Sequence, residues 1–256
     1  MKQIWNGILV AFSLYSALPV PQVVWEKSTM RLALCFLPCI GIGIGLLEWG
    51  WFYLAGILGV TEFLYAVVAM LLPVAVTGGI HLDGLTDTCD ALCSYADREK
   101  KLEILKDPHV GAFGVLWQTI CLLLTAALFA QLYATSSQFP LVCFGYVAAR
   151  ALGGRAIVAL PCAKNSGLAH LFADQADKKI VQWVLSIVWV LCCLGMILLR
   201  PVWGAIFGIL SLIWVRAHRT ICLRIFGGIT GDLAGFLITT TELLALAVAA
   251  IGGLLA

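Results

Sequence analysis

Apolar runs separated by short polar connections set the plan of this chain. They lie near Leu32–Leu54, Phe63–Gly79, Gly111–Tyr133, Phe139–Leu160, Ile180–Leu199, Val202–Val215 and Leu233–Leu254, and a helix needs roughly 17 to 25 such residues to cross a bilayer. The pattern predicts an all-α, polytopic membrane bundle of about seven transmembrane helices. Ahead of it, the first eighteen residues place Trp5, Phe12 and Tyr15 among apolar neighbours, with Pro19 and Pro21 just beyond. That segment reads as an interfacial helix closed by proline rather than as a signal sequence, because no small-residue cleavage site follows. Nothing in the pattern marks a second, soluble domain, so residues 1–256 are expected to form a single integral membrane domain.

Composition and charge sharpen this plan. The chain is 62% hydrophobic and 12% charged, with a mean hydropathy of +1.00, whereas soluble domains carry about a quarter charged residues. Tracing the spans alternately puts Met1–Arg31, Gly78–Val110, Arg150–Lys179 and Arg216–Thr230 on one side, and these hold 15 of the 16 Lys and Arg. Only Arg200 falls elsewhere. Because Lys and Arg collect in cytoplasmic loops, the amino terminus and the charged connections are expected in the cytoplasm. A bacterial inner-membrane location follows as an expectation, with no nucleic acid among the partners. Ten cysteines, mostly in apolar spans, read as small apolar residues rather than as disulfides or a zinc site.

The acids are distributed unevenly. Eight of the fourteen lie between Thr61 and Pro108, and "HLDGLTDTCDALC", His81 to Cys93, holds Asp83, Asp87 and Asp90 at i, i+4 and i+7. On a helix these three share one stripe. Like charges at that spacing repel, so the arrangement costs stability unless a cation sits among them. Hard divalent ions such as Mg²⁺ take carboxylate oxygens and recruit substrate phosphates. Leu85, Leu92 and Ala96 form an apolar opposite face, which predicts an acidic helix packed against the bundle at its cytoplasmic edge. Carboxylates at a membrane edge are functional candidates.

Further candidates surround this stripe. His81 precedes it, either as a capping residue or as a group that orients a carboxylate or acts as a general acid. Lys106 and Asp107 stand beside Pro108 and ahead of Gly111 and Gly114, a turn fit to offer a cation and backbone amides to a phosphate. Arg155 is explained by snorkelling. Arg150 lies about eleven residues into an apolar run, where a charge is costly in lipid; it is expected to face a polar cavity and, with the aspartates, to bind an anionic group. Asp232, behind "TG" at the start of the last run, reads either as a helix cap or as a carboxylate joining the aspartates from another helix.

The run "TGGIHLDGLTDTCDALCSYADREKKLEILKDPHVGAFG", with "LPVP" near the start and "GGITGDLAG" near the end, resembles the adenosylcobinamide-GDP ribazoletransferases, also called cobalamin synthases. The similarity in order, length and hydropathy spans nearly the whole chain, with departures at Ala17, Ala91 and Thr239. It implies a membrane enzyme needing Mg²⁺ that joins adenosylcobinamide-GDP to α-ribazole or its 5′-phosphate and releases GMP. It also implies that Asp83, Asp87 and Asp90 bind the metal and that Lys106, Asp107, Arg150 and Asp232 belong to the site. Which aspartate, if any, accepts the proton of the attacking hydroxyl is open, with Asp90 the choice made here. Two other readings compete: a divalent-cation transporter using the acidic stripe, and a CDP-alcohol phosphotransferase, whose "DG" is followed by an "AR" that this chain lacks. Oligomers are compatible with the sequence.

Overall fold

The structure, a computed structural model, describes residues 2–21, 26–135, 138–164 and 166–255. Parts of the Met1–Arg31 and Ala134–Gln138 connections therefore lie outside the described residues. The helices in order are α1 (Lys2–Tyr15), α2 (Lys27–Met30), α3 (Leu37–Leu58), α4 (Glu62–Thr77), α5 (Ile80–Cys93), α6 (Arg98–Ile104), α7 (Ala112–Thr135), α8 (Phe139–Ala159), α9 (Leu168–Gln175), α10 (Lys178–Leu199), α11 (Pro201–Ile221) and α12 (Gly231–Leu254). Among the described residues β pairing is confined to one bridge between Cys162 and Ile229. The expected all-α bundle is present.

Apolar length decides which helices can span. Among the described residues, the α3, α7, α8, α10, α11 and α12 segments are long and apolar enough to cross a membrane, six in all. The second expected span is different. Its helix, α4, has 16 residues, about 24 Å at 1.5 Å per residue, short of a hydrocarbon core about 30 Å thick. At Gly78 and Gly79, with φ of 64° and 81°, the chain turns by 96° into α5. Two successive left-handed residues are open to glycine at little cost. Counting the bent pair α4 and α5 as one span gives seven, in line with the expected number of about seven.

The centre of the bundle is α8, which packs against α3, α10 and α12 and buries fifteen of its residues. The last helix, α12, carries α5 on one flank and α7 on another. Contact between α5 and α12 is close enough that a Cβ on Gly84 would lie 2.7 Å from the Asp232 carbonyl oxygen. At the amino terminus, Val10 and Ala11 of α1 are buried and Trp5 is exposed, so one side of this helix joins the core. All ten cysteines are free thiols, none of them in a disulfide.

The acidic helix is amphipathic as expected, with Leu85 buried and Leu92 half-buried, but Ala96 lies beyond its end at Cys93. Gly84, Leu85, Thr88 and Ala91 of α5 are buried, while Asp83 is exposed and Asp87 and Asp90 are half-buried. Its carboxyl end is closed by Lys101 from α6, whose Nζ donates to the carbonyls of Ala91 at 2.6 Å and Leu92 at 3.2 Å. An ammonium there satisfies orphan carbonyls and complements the negative end of the helix.

Candidate active site

A cavity of about 300 Å³ opens where α5, the start of α12 and the α8–α9 loop meet, and His81, Asp83, Lys106, Lys164, His170 and Asp232 are among its lining residues. Local chain chemistry builds each wall. On α5, the Gly79 carbonyl accepts from the Asp83 N–H at 2.8 Å, which starts the helix directly after the bend. At α12, Thr230 caps the helix by accepting from Leu233 N–H at 3.2 Å and donates to the Asp232 carboxylate at 3.2 Å. The two loops are laced together, with Ile229 N–H donating to the Pro161 carbonyl at 2.8 Å and Ala163 N–H to the Ile229 carbonyl at 3.0 Å. That lacing holds Lys164 and Thr230 at one cavity.

The cavity combines carboxylates and cations without neutralising the former. Asp87, one turn further along α5, is not among the cavity's lining residues, but its carboxylate sits within the field of Asp83, Asp232 and Asp90. Among the described residues, Asp83 and Asp87 make no side-chain hydrogen bond or ion pair. Lys164 donates to the Leu102 carbonyl at 2.7 Å. Its ammonium is pulled below its ordinary value first by burial and then by the Lys106 charge, with Asp232 pulling the other way. Two lysines sharing one mouth raise the local potential for a phosphate.

Other expected residues are placed differently. Asp90 turns away from the cavity lining to the start of α7, where its Oδ1 accepts from Gly114 N–H at 3.1 Å; this is the bond of a helix cap. Asp107 is exposed and accepts from the His109 N–H at 2.9 Å, and its Oδ1 lies 2.8 Å from His109 Nδ1. Those contacts hold its carboxyl below its ordinary value, and it does not line the cavity. Arg150 is fully buried and bonded to Glu242 and to the Tyr146 carbonyl, not to the aspartates. It lines a second, smaller cavity of about 60 Å³, and His81 lines both. The sequence reading thus brings His81, Asp83, Lys106 and Asp232 to one cavity and missed Lys164 and His170. A lysine three residues after Pro161 in a connection of mixed charge is too common a feature to mark the site from sequence.

A divalent ion would find no closed cage here. Among the described residues no three His, Cys, Asp or Glu side chains converge as a ready metal centre. Mg²⁺, however, is held by one or two carboxylates plus waters and substrate phosphates, and Asp83 with Asp87 are oxygen donors free of competing cations. The donor set fits.

A family model described as cobalamin-5-phosphate synthase matches residues 7–250. The chain belongs to that family. Among curated relatives, a protein of Lachnoclostridium phytofermentans is 37% identical over 94% of this chain and 91% of its own length. One from Geobacillus kaustophilus is 32% identical over 94% of each, and one from Clostridium botulinum is 28% identical over 96% of this chain and 97% of its own. All three bear the name adenosylcobinamide-GDP ribazoletransferase. No solved structure matches the chain. Membership of the cobalamin-5-phosphate synthase family disfavours the transporter and CDP-alcohol phosphotransferase readings.

Proposed function

We infer that this chain is an adenosylcobinamide-GDP ribazoletransferase, joining adenosylcobinamide-GDP to α-ribazole or its 5′-phosphate with release of GMP. The observation that carries this reading is the family match over residues 7–250, supported by a cavity in which Asp83 and Asp232 face Lys106 and Lys164. Phosphoryl transfer needs mainly positioning and charge stabilisation, which such a set supplies.

Asp83 and Asp87 would hold Mg²⁺, which would offset diphosphate charge when bound. Lys106 and Lys164 take the oxygens of the departing GMP. The ribazole hydroxyl attacks the phosphorus nearer the aminopropanol linker, the bond from that phosphorus to the GMP oxygen breaks, and the hydroxyl proton passes to a carboxylate. Asp232, across the cavity and steadied by Thr230, suits that proton better than Asp90, which is engaged with α7. The 15 of 16 Lys and Arg on one side support a cytoplasmic site in a bacterial inner membrane. Purified protein in lipid, given adenosylcobinamide-GDP, α-ribazole 5′-phosphate and Mg²⁺, should release one GMP per corrinoid product. Absence of both products would overturn the assignment.

A further inference from the structure

Sharing His81 with the active-site cavity, the small cavity of about 60 Å³ is lined by His81, Thr77, Thr125, Arg150, Thr239 and Glu242 among others. The edge of the Arg150 guanidinium formed by Nε and Nη2 has no partner among the described residues, and neither has His81 Nε2. Arg150 is 0% and His81 6% exposed. Unpartnered donors this deep are costly, so the cavity is built to receive an acceptor. The Arg150 edge is the planar fork that grips an oxygen-bearing group with two parallel bonds.

Charge narrows the class of guest. Arg150 is already neutralised by Glu242, so an added anion meets the Glu242 carboxylate and an added cation meets the guanidinium. A neutral group with both an acceptor and a donor suits both. The Thr77 and Thr125 hydroxyls donate to the Pro73 carbonyl at 2.8 Å and the Cys121 carbonyl at 2.7 Å, and the Thr239 hydroxyl donates to the His81 carbonyl at 3.0 Å. Their oxygens keep lone pairs as acceptors for a donor N–H. Space agrees, since 60 Å³ takes about four water-sized atoms, the size of a carboxamide with its methylene. We propose that this cavity is a subsite for a primary carboxamide on the rim of the corrinoid substrate, its carbonyl oxygen on Arg150 Nε and Nη2 and its NH₂ shared between the Thr125 oxygen and Glu242. Resting on the ribazoletransferase reading, the proposal puts substrate recognition next to the chemistry, because His81 is two residues ahead of Asp83, about 3 Å along the helix axis.

The test compares GDP-activated corrinoids in which single peripheral carboxamides are replaced by carboxylates, in wild type, Glu242→Gln and Thr125→Val. In wild type, one carboxylate position should lower kcat/KM by about tenfold or more while the others change little. Glu242→Gln should narrow or reverse that preference by removing the opposing charge. If this variant fails to fold, Thr125→Val, which removes one hydroxyl at constant shape, should still raise KM for the parent substrate several-fold with kcat unchanged. Equal turnover of all analogues in wild type, or unchanged KM in Thr125→Val, overturns the subsite, as does a substrate-bound structure with only water in the cavity. Wild type that turns over no corrinoid at all overturns the functional reading instead.

Discussion

Two charged regions share His81 and follow opposite rules. At the active-site cavity, Asp83 on its lining and Asp87 one turn further along α5 carry no ion-pair partner among the described residues, and α5 accepts the mutual repulsion of its stripe. In the inner cavity, Arg150 and Glu242 neutralise each other, and Tyr146 adds its carbonyl. Where water and phosphate arrive, bare carboxylates leave room for a cation and its charged ligand. Inside the bundle, an unpaired charge has no such partner to wait for, and pairing is required. The same contrast explains why α5 is held so firmly by α12 and Lys101. A helix with an acidic stripe needs packing and caps to compensate for repulsion.

Breaking the inner pair should have the largest effect. Arg150→Met alone leaves a buried Glu242 carboxylate and is expected to destabilise the protein by about 3–5 kcal/mol, while Arg150→Met with Glu242→Leu should recover most of that loss, read as thermal unfolding in detergent. Equal stability of the single variant and wild type would contradict the paired-interior account. Asp87→Asn tests the outer region, and there kcat should fall about 10²–10³-fold with the unfolding midpoint unchanged or raised, because repulsion is relieved. A fall in midpoint would recast the stripe as a structural element.

How far these regions can be read from sequence differs for a physical reason. The i, i+4, i+7 spacing of Asp83, Asp87 and Asp90 is local, so the stripe, its helix and its apolar back were readable directly. The glycine pair at Gly78 and Gly79 marked the end of the second span, but the 96° angle between α4 and α5 was not readable, since it is set by backbone torsion and not by hydropathy. Arg150 announced a polar interior, yet its partner Glu242 is 92 positions away, and the sequence paired it with the aspartates instead. Asp90 lost its place in the cavity lining to a contact with the start of α7, and Lys164 gained one through the bridge between Cys162 and Ile229. Long-range lacing of this kind leaves no periodic trace.

Smaller changes sharpen the boundary between the two regions. Gly84→Ala pushes a methyl toward the Asp232 carbonyl, 2.7 Å away, and should cost about 1–3 kcal/mol while lowering turnover through the α5–α12 spacing. Unchanged stability and turnover would show that the two helices tolerate separation. Lys164→Met should raise KM for adenosylcobinamide-GDP about tenfold, the size of one charged hydrogen bond, with little change in melting temperature. An unchanged KM would remove Lys164 from the phosphate-binding set.

The central claim is that Asp83 and Asp87 stay unneutralised in order to hold a divalent ion against the substrate diphosphate. Its most direct test is Mn²⁺ binding followed by electron paramagnetic resonance, with protein in lipid and adenosylcobinamide-GDP present. Wild type should bind the ion with substrate, and the Asp83→Asn, Asp87→Asn double variant should lose that binding while remaining folded. Undiminished Mn²⁺ binding by the folded double variant would contradict the account.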